Sequence, residues 1–297
     1  MHRVEHPNPQ FMRENWVKVN ELGQFDFKKC KKDSVVLHVT KLDKSKQLFV
    51  NDKKIEIKEI DSLFFSFDIS DCVTEGMNTI YVQDEKGKKH IEAEQKAWVE
   101  FIPQTHIEKI KLTPDVDNIA LNLEALLVGR GRLEVEVRYK GRILGKSEVE
   151  SNGGLAYVYV PLDEEYLWEA GNGRLYDIYL EYREDRVESY FGLRSIQFDG
   201  QNIMLNGKIV TGFKEAELQE KALDESFLYE CDKNGQVVVG QISPCSNSFD
   251  NVLVEWIDMV EENYNHPSIV AWNPGVTPLA QRITKAIDFT RPVLLEK

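Results

Sequence analysis

Asn265-His266-Pro267-Ser268-Ile269-Val270-Ala271-Trp272-Asn273-Pro274 decides how the last third of the chain is read. Within it, Ile269 to Trp272 is a continuous apolar run, the texture of a strand buried on both faces of a parallel sheet. Just upstream, Leu253, Trp256, Ile257 and Val260 share one stripe, which predicts a helix from about Asp250 to Asn263. Val237-Val238-Val239 is a second buried strand, and Gln281 to Asp288 predicts a short helix. Leu218, Ala222, Leu223 and Leu228 give residues 215 to 230 a helical pattern. Ile203 to Lys208 reads as a hairpin. Strands and helices in alternation imply a parallel α/β unit with only a few repeats.

Further toward the N-terminus the texture is β. Val35 to Val39, Gln47 to Val50, Ile55 to Ile57, Phe65 to Ile69 and Thr79 to Val82 are short strands, with turn signals at Asn51-Asp52 and Glu75 to Asn78. Their number and spacing predict a β-sandwich. Pro103 marks a boundary. Beyond it, Ile107 to Leu112, Leu133 to Val137, Ala156 to Val160 and Tyr176 to Leu180 alternate, between Gly-rich turns. About 90 such residues suit an immunoglobulin-like sandwich without the paired cysteines of antibody domains.

Composition narrows the function classes. A net charge of −13 argues against nucleic acid, whose phosphates need a basic face. Lys28, Lys29, Lys31 and Lys32 read as a solvated loop or a guarded sheet edge. No run approaches the ~20 apolar residues of a membrane span, and the first residues carry no apolar stretch of the signal-peptide kind. The expected location is cytoplasmic. Cys30, Cys72, Cys231 and Cys245 form no CxxC pair, and no His stands at zinc-finger spacing, so they read as free thiols and no metal or cofactor is implied.

Several of these segments together resemble the family 2 glycoside hydrolases, the β-galactosidase, β-glucuronidase and β-mannosidase group. Asn265 to Ile269 followed by Trp272 is similar to the family's strand 4 motif. Ser189-Tyr190-Phe191-Gly192-Leu193-Arg194 and Leu205-Asn206-Gly207-Lys208 resemble its junction between the immunoglobulin-like domain and the barrel. Pro9 to Trp16 is similar to its N-terminal entry, and Val50 to Lys53 and Phe67 to Ser70 fit its jelly-roll domain. The resemblance implies a multidomain chain: a shortened jelly-roll-like sandwich over 1–102, an immunoglobulin-like sandwich over 103–192 and a partial (β/α) barrel over 193–297. It also implies a retaining active site and a carbohydrate, a β-glycoside, as the partner.

The chain departs from the family at three places. A run of strands expected between Phe27 and Val35 is missing. Residues 193 to 297 number 105, against ~250 for a typical barrel. Finally, the family's Trp-x-Pro-x is followed by Asn-Glu, whose Glu is the general acid/base. Here Trp272-Asn273-Pro274-Gly275 is followed by Val276-Thr277, so Thr277 occupies that position. The family's nucleophilic Glu comes on a later strand. Threonine has no pKa near neutrality and cannot cycle a proton.

Glu215, Glu217, Glu220, Glu255 and Glu261 read as solvated helix faces rather than substitutes. His266 is a substrate contact or a structural histidine at a strand start. Trp272 is a sugar platform or a core tryptophan, and Asn273 lies beside it at the end of a barrel-type strand where substrates bind. Trp98 and Trp168 are expected in sandwich cores or domain joints. These readings leave a glycosidase-like protein without catalysis, a carbohydrate-binding or scaffold protein, and an active hydrolase with acids from unusual positions or a partner chain. A short barrel implies open strand edges and a homo-oligomer.

Overall fold

The computed structural model describes residues 6–27, 34–40, 47–57, 64–84, 89–90, 96–218, 225–242, 249–275 and 278–294. The lysine-rich segment, the missing run before Val35, Cys30 and Cys245 lie outside them. Cys72 and Cys231 are free thiols.

The first β-region is two antiparallel sheets. One runs in the order Trp16–Lys18, Ala97–Ile102, Ser34–Thr40, Phe64–Asp68. The other runs Gln24–Phe27, Gly76–Gln83, Gln47–Val50, Lys53–Ile55, with Lys89–His90 on its side. Alternation turns Val35, Leu37, Val39 and Val99 of one sheet toward Phe25, Leu48, Val50, Ile80 and Val82 of the other, and these form one buried core. The Asn51-Asp52 turn has both residues at positive φ, 48° and 61°, the two-residue geometry that matches strand twist.

The second β-region is also a sandwich. Its five-stranded sheet has the order Met12–Arg13, Asp185–Phe191, Tyr176–Tyr182, Gly131–Tyr139, Arg142–Ser151. The facing sheet is His106–Asp115, Ala120–Val128, Gly154–Pro161. Ile110, Leu112, Leu123, Leu133, Val135, Ile178 and Leu180 pack between them. Met12 and Arg13 belong in sequence with the first region, yet their backbone pairs with Glu188 and Val187 of the second.

Beyond a small hairpin sheet (Ile196–Phe198, Ile203–Leu205, Lys208–Ile209), three strands run parallel: Lys214–Leu218, Val238–Ile242 and Ile269–Asn273. The helices between and after them are α1 (Glu225–Asn234), α2 (Phe249–Glu262) and α3 (Pro278–Ile287). The helix expected over 215–230 is thus a strand followed by a helix. Lys214 to Leu218 pair backbone to backbone with Val238 to Ile242, and the leucine spacing had bridged the two elements. The outer edge of Ile269–Asn273 is not bare: Trp272 N donates to Pro292 O at 3.0 Å and Leu294 N to Trp272 O at 2.8 Å. No helix among the described residues is long and apolar enough to cross a membrane.

Candidate functional site

The Asn265-to-Ser268 segment sits where the parallel sheet meets the second sandwich, and each of its residues makes part of that joint. Asn265 Nδ2 donates to Ile110 O at 3.1 Å while its Oδ1 accepts from Leu112 N at 2.8 Å, so it pairs with the open edge of the His106–Asp115 strand at mid-length. His266 is fully buried, with Nδ1 2.6 Å from Asp232 Oδ2 on α1. The Tyr190 hydroxyl donates to the same oxygen at 2.7 Å, and Ser268 N donates to Asp232 Oδ1 at 2.8 Å. Glu225 Oε2 lies 3.3 Å from His266 Nε2. Burial alone would strip the proton from His266. The carboxylates of Asp232 and Glu225 reverse that and hold its pKa up at about 10.

Two arginines hold the carbonyls of the same segment. Arg194 Nε donates to Pro267 O at 2.6 Å and Nη2 to Ile269 O at 3.1 Å. Arg291 Nε donates to Ile269 O at 2.7 Å, and its Nη2 to Tyr264 O at 2.7 Å and His266 O at 2.9 Å. Gly192 leaves room for this approach, because a Cβ there would stand 2.7 Å from Pro267 Cβ.

Trp272 lies beneath this joint. It is fully buried, edge-on to Trp256 with centroids 5.9 Å apart, and covers Gly240 so closely that a Cβ there would meet its ring at 2.5 Å. Its Nε1 donates to Asp288 Oδ2 at 2.8 Å. Asp288 is paired with Arg291 at 2.5 Å. Burial works against its charge, but Arg291, Thr290 and Trp272 outweigh burial and hold the Asp288 pKa down at about 2. No face of Trp272 is open for a sugar ring to stack upon, and both polar edges of His266 face carboxylates.

Asn273 is only partly buried, at the strand's C-terminal end, and its Oδ1 accepts from Gly275 N at 3.2 Å. Thr277 lies outside the described residues. Glu261 pairs with Lys109 at 3.0 Å, and the side chains of the other four glutamates lie outside the description. Among the described residues no group of three or more His, Cys, Asp and Glu could hold a metal.

The buried acids Asp232, Glu225 and Asp288 escape a sequence reading built on exposed candidates. A signal for Asp232 was present: it stands four residues after Leu228 and next to Cys231, on the buried stripe of α1. A charge on an apolar stripe implies a buried partner.

No family profile matches the chain. A β-galactosidase of Leuconostoc mesenteroides is 25% identical, over 77% of this chain and 30% of that protein. In fold, a family 2 member from Bacteroides cellulosilyticus superposes with a TM-score of 0.74 over 94% of this chain and 49% of that one, at 19% identity. In sequence and in fold the chain is similar to family 2 glycoside hydrolases. A Ruminococcus gnavus β-glucuronidase, solved with D-glucuronic acid, superposes at TM-score 0.71 and 15% identity, over 94% of this chain and 62% of that one. A β-glucuronidase of an uncultured Clostridium gives 0.68 at 17% identity with the same coverage. The chain therefore spans under two thirds of each of these relatives. The family motif at 265–272, seen atom by atom, is a joint between sandwich and parallel sheet.

Proposed function

We propose that residues 1–297 form a glycosidase-type scaffold without glycosidase catalysis, comprising a jelly-roll-like sandwich to about residue 102, an immunoglobulin-like sandwich to about 192 and a partial (β/α) barrel. The observation that carries this is Thr277 at the family's acid/base position, four residues beyond a strand whose Trp272 is sealed in the core. Retaining hydrolysis needs two carboxyls ~5 Å apart, one to move the proton and one to attack the anomeric carbon. A threonine does neither at neutral pH. Asp288, the acid bonded to Trp272, is locked in its charged form by Arg291 and cannot cycle a proton. His266 belongs to the joint on this reading, and Asn273 is the one partly open position of the three candidate contacts.

The test is turnover of aryl β-galactoside and aryl β-glucuronide by the purified chain. The expected rate is that of the buffer. Release of aryl alcohol that scales with protein concentration and co-purifies with the chain overturns the proposal. A carbohydrate-binding role without catalysis is a second reading, favoured by Tyr157 and Tyr159, which are exposed on one face of the Gly154–Pro161 strand.

A further inference from the structure

Asn-Gly occurs four times in the chain, as Asn152-Gly153, Asn172-Gly173, Asn206-Gly207 and Asn234-Gly235. Glycine has no Cβ to shield its amide nitrogen, which can reach the side-chain carbonyl carbon of the preceding asparagine wherever the backbone is free to turn. Three of the pairs are held. Asn206 is tied at both ends of its amide, Oδ1 accepting from Ser195 N and Nδ2 donating to Trp168 O, each at 2.9 Å. Asn234 ends α1 and donates from Nδ2 to Glu230 O at 2.8 Å, and a Cβ on Gly235 would stand 2.3 Å from Asn172 N. Asn172 exchanges backbone hydrogen bonds with Glu169, at 2.9 and 3.1 Å, and a Cβ on Gly173 would stand 2.2 Å from the Asp232 and Lys233 carbonyl oxygens. Asn152 differs. It is exposed, and no hydrogen bond among the described residues holds its side chain. One ladder ends at Ser151 opposite Gly131 and the next begins at Gly154 opposite Leu127, so residues 152 and 153 belong to neither sheet. The Gly153 N–H donates to the Ser151 hydroxyl at 3.1 Å rather than to a strand carbonyl.

We propose that Asn152 is a modification site, the position at which the folded chain loses a side-chain amide without an enzyme and becomes a mixture of aspartate and isoaspartate. The step balances with water as its only co-reactant. The Gly153 nitrogen gives its proton to hydroxide and attacks Asn152 Cγ. The new N–Cγ bond closes a five-membered succinimide, the Cγ–Nδ2 bond breaks, and the side-chain nitrogen leaves as ammonia with protons from water. A second water then opens the ring at one of its two carbonyls. Opening at Cγ leaves aspartate with the backbone intact. Opening at the backbone carbonyl routes the chain through the side chain, which inserts a methylene between residues 152 and 153. Nothing is oxidised or reduced. Either product adds one negative charge to a chain already at −13. Both ladders end before the altered peptide, so strand pairing survives the change. The other three pairs reach the attacking geometry only after local opening breaks the bonds and contacts that hold them. The inference is independent of whether the chain has glycosidase activity.

The experiment incubates the full chain in mildly alkaline buffer, folded in one arm and unfolded in urea in the other. Digestion and fragmentation mass spectrometry follow amide loss at each of the four asparagines. An isoaspartate-specific carboxyl methyltransferase with a labelled methyl donor counts the rearranged product. In the folded arm Asn152 should lose its amide about tenfold faster than each of the other three, because only they must open first. In urea the four rates should draw together, since all four share the same dipeptide. Asn152→Gln, whose longer side chain would have to close a six-membered ring, should remove most of the methyl label and most of the acidic species seen on anion exchange. Equal rates at the four sites in the folded arm, or faster loss at any of the other three, overturns the proposal. So does a preference for Asn152 that persists undiminished in urea, which would assign it to sequence rather than to the fold, and so does methyl label that survives in Asn152→Gln.

Discussion

His266 carries a proton in a place water does not reach, between Asp232 at 2.6 Å and Glu225 at 3.3 Å. Removing it strands two acids. His266→Gln should therefore destabilise the chain by about 3–5 kcal/mol, the usual penalty for breaking a buried pair from one side, read as a lower urea midpoint at pH 6.5. The pH dependence follows from direction. The folded pKa of about 10 lies above the ordinary 6.5, so the stabilisation is complete below about pH 6.5 and drains away as pH rises toward 10. His6 behaves oppositely. It is buried edge-on to Trp16 with its Nδ1 accepting from Asn8 N at 3.0 Å, and burial lowers its pKa to about 4. Its contribution is complete above about pH 6.5 and is lost as pH falls toward 4. Urea midpoints measured from pH 4 to 10 should peak near 6.5, and His266→Gln should flatten the alkaline limb alone. An alkaline limb unchanged in that variant would contradict the assignment.

At the level of elements, the parallel sheet depends on a glycine. Gly240 of Val238–Ile242 faces Trp272 of Ile269–Asn273, and the indole lies where a side chain would be. Gly240→Ala should cost about 1–3 kcal/mol through forced repacking, seen as a lower thermal midpoint, while Ala substitution at exposed Gly212, whose Cβ would meet nothing, strains only the backbone at φ 81°. The apolar runs announced these strands plainly, because burial on both faces leaves a mark in composition. The hairpin at 203–209 was equally legible, since Asn206-Gly207 takes positive φ at both positions, 50° and 73°. What composition could not show was partner choice. Lys214 to Leu218 looked helical because strand pairing is a long-range decision, made by Val238 to Ile242 some 24 residues later. Met12 and Arg13 join a sheet whose neighbouring strand begins at Asp185. The site was legible as a motif but not as a mechanism. Asn265 to Ser268 stood out, but the acids that hold them sit on α1 and the arginine Arg291 comes after α3, and no local pattern ties these to the motif.

Buried charges sit at the joints of the molecule. Arg13 Nε donates to Glu100 at 3.1 Å on the first sandwich, its Nη1 pairs with Asp185 on the second, and its Nη2 donates to Ile107 O at 3.0 Å. Arg13→Met should leave Asp185 without its cation and Glu100 with only His38 and Trp98 as partners, and should separate the unfolding of the sandwiches, so that one calorimetric transition becomes two. A single, merely lowered transition would show that other contacts couple them. The last prediction asks whether the joint at the other end encloses a lost active site or replaces one. Thr277→Glu restores a carboxyl at the family's acid/base position. Protonating a leaving oxygen contributes ~10²–10⁴-fold, but the retaining route also needs a second carboxylate to form the glycosyl-enzyme bond. Asp288 cannot serve, because Arg291, Thr290 and the Trp272 indole already bind it. Trp272 cannot hold a sugar without leaving the core it fills with Trp256, Met259 and Leu228. Thr277→Glu should therefore hydrolyse an aryl β-glycoside no faster than the unaltered chain, and added azide or formate should not raise the rate. If the substitution alone yields turnover, a second acid already stands within reach of residue 277, and the scaffold is one residue from being an enzyme.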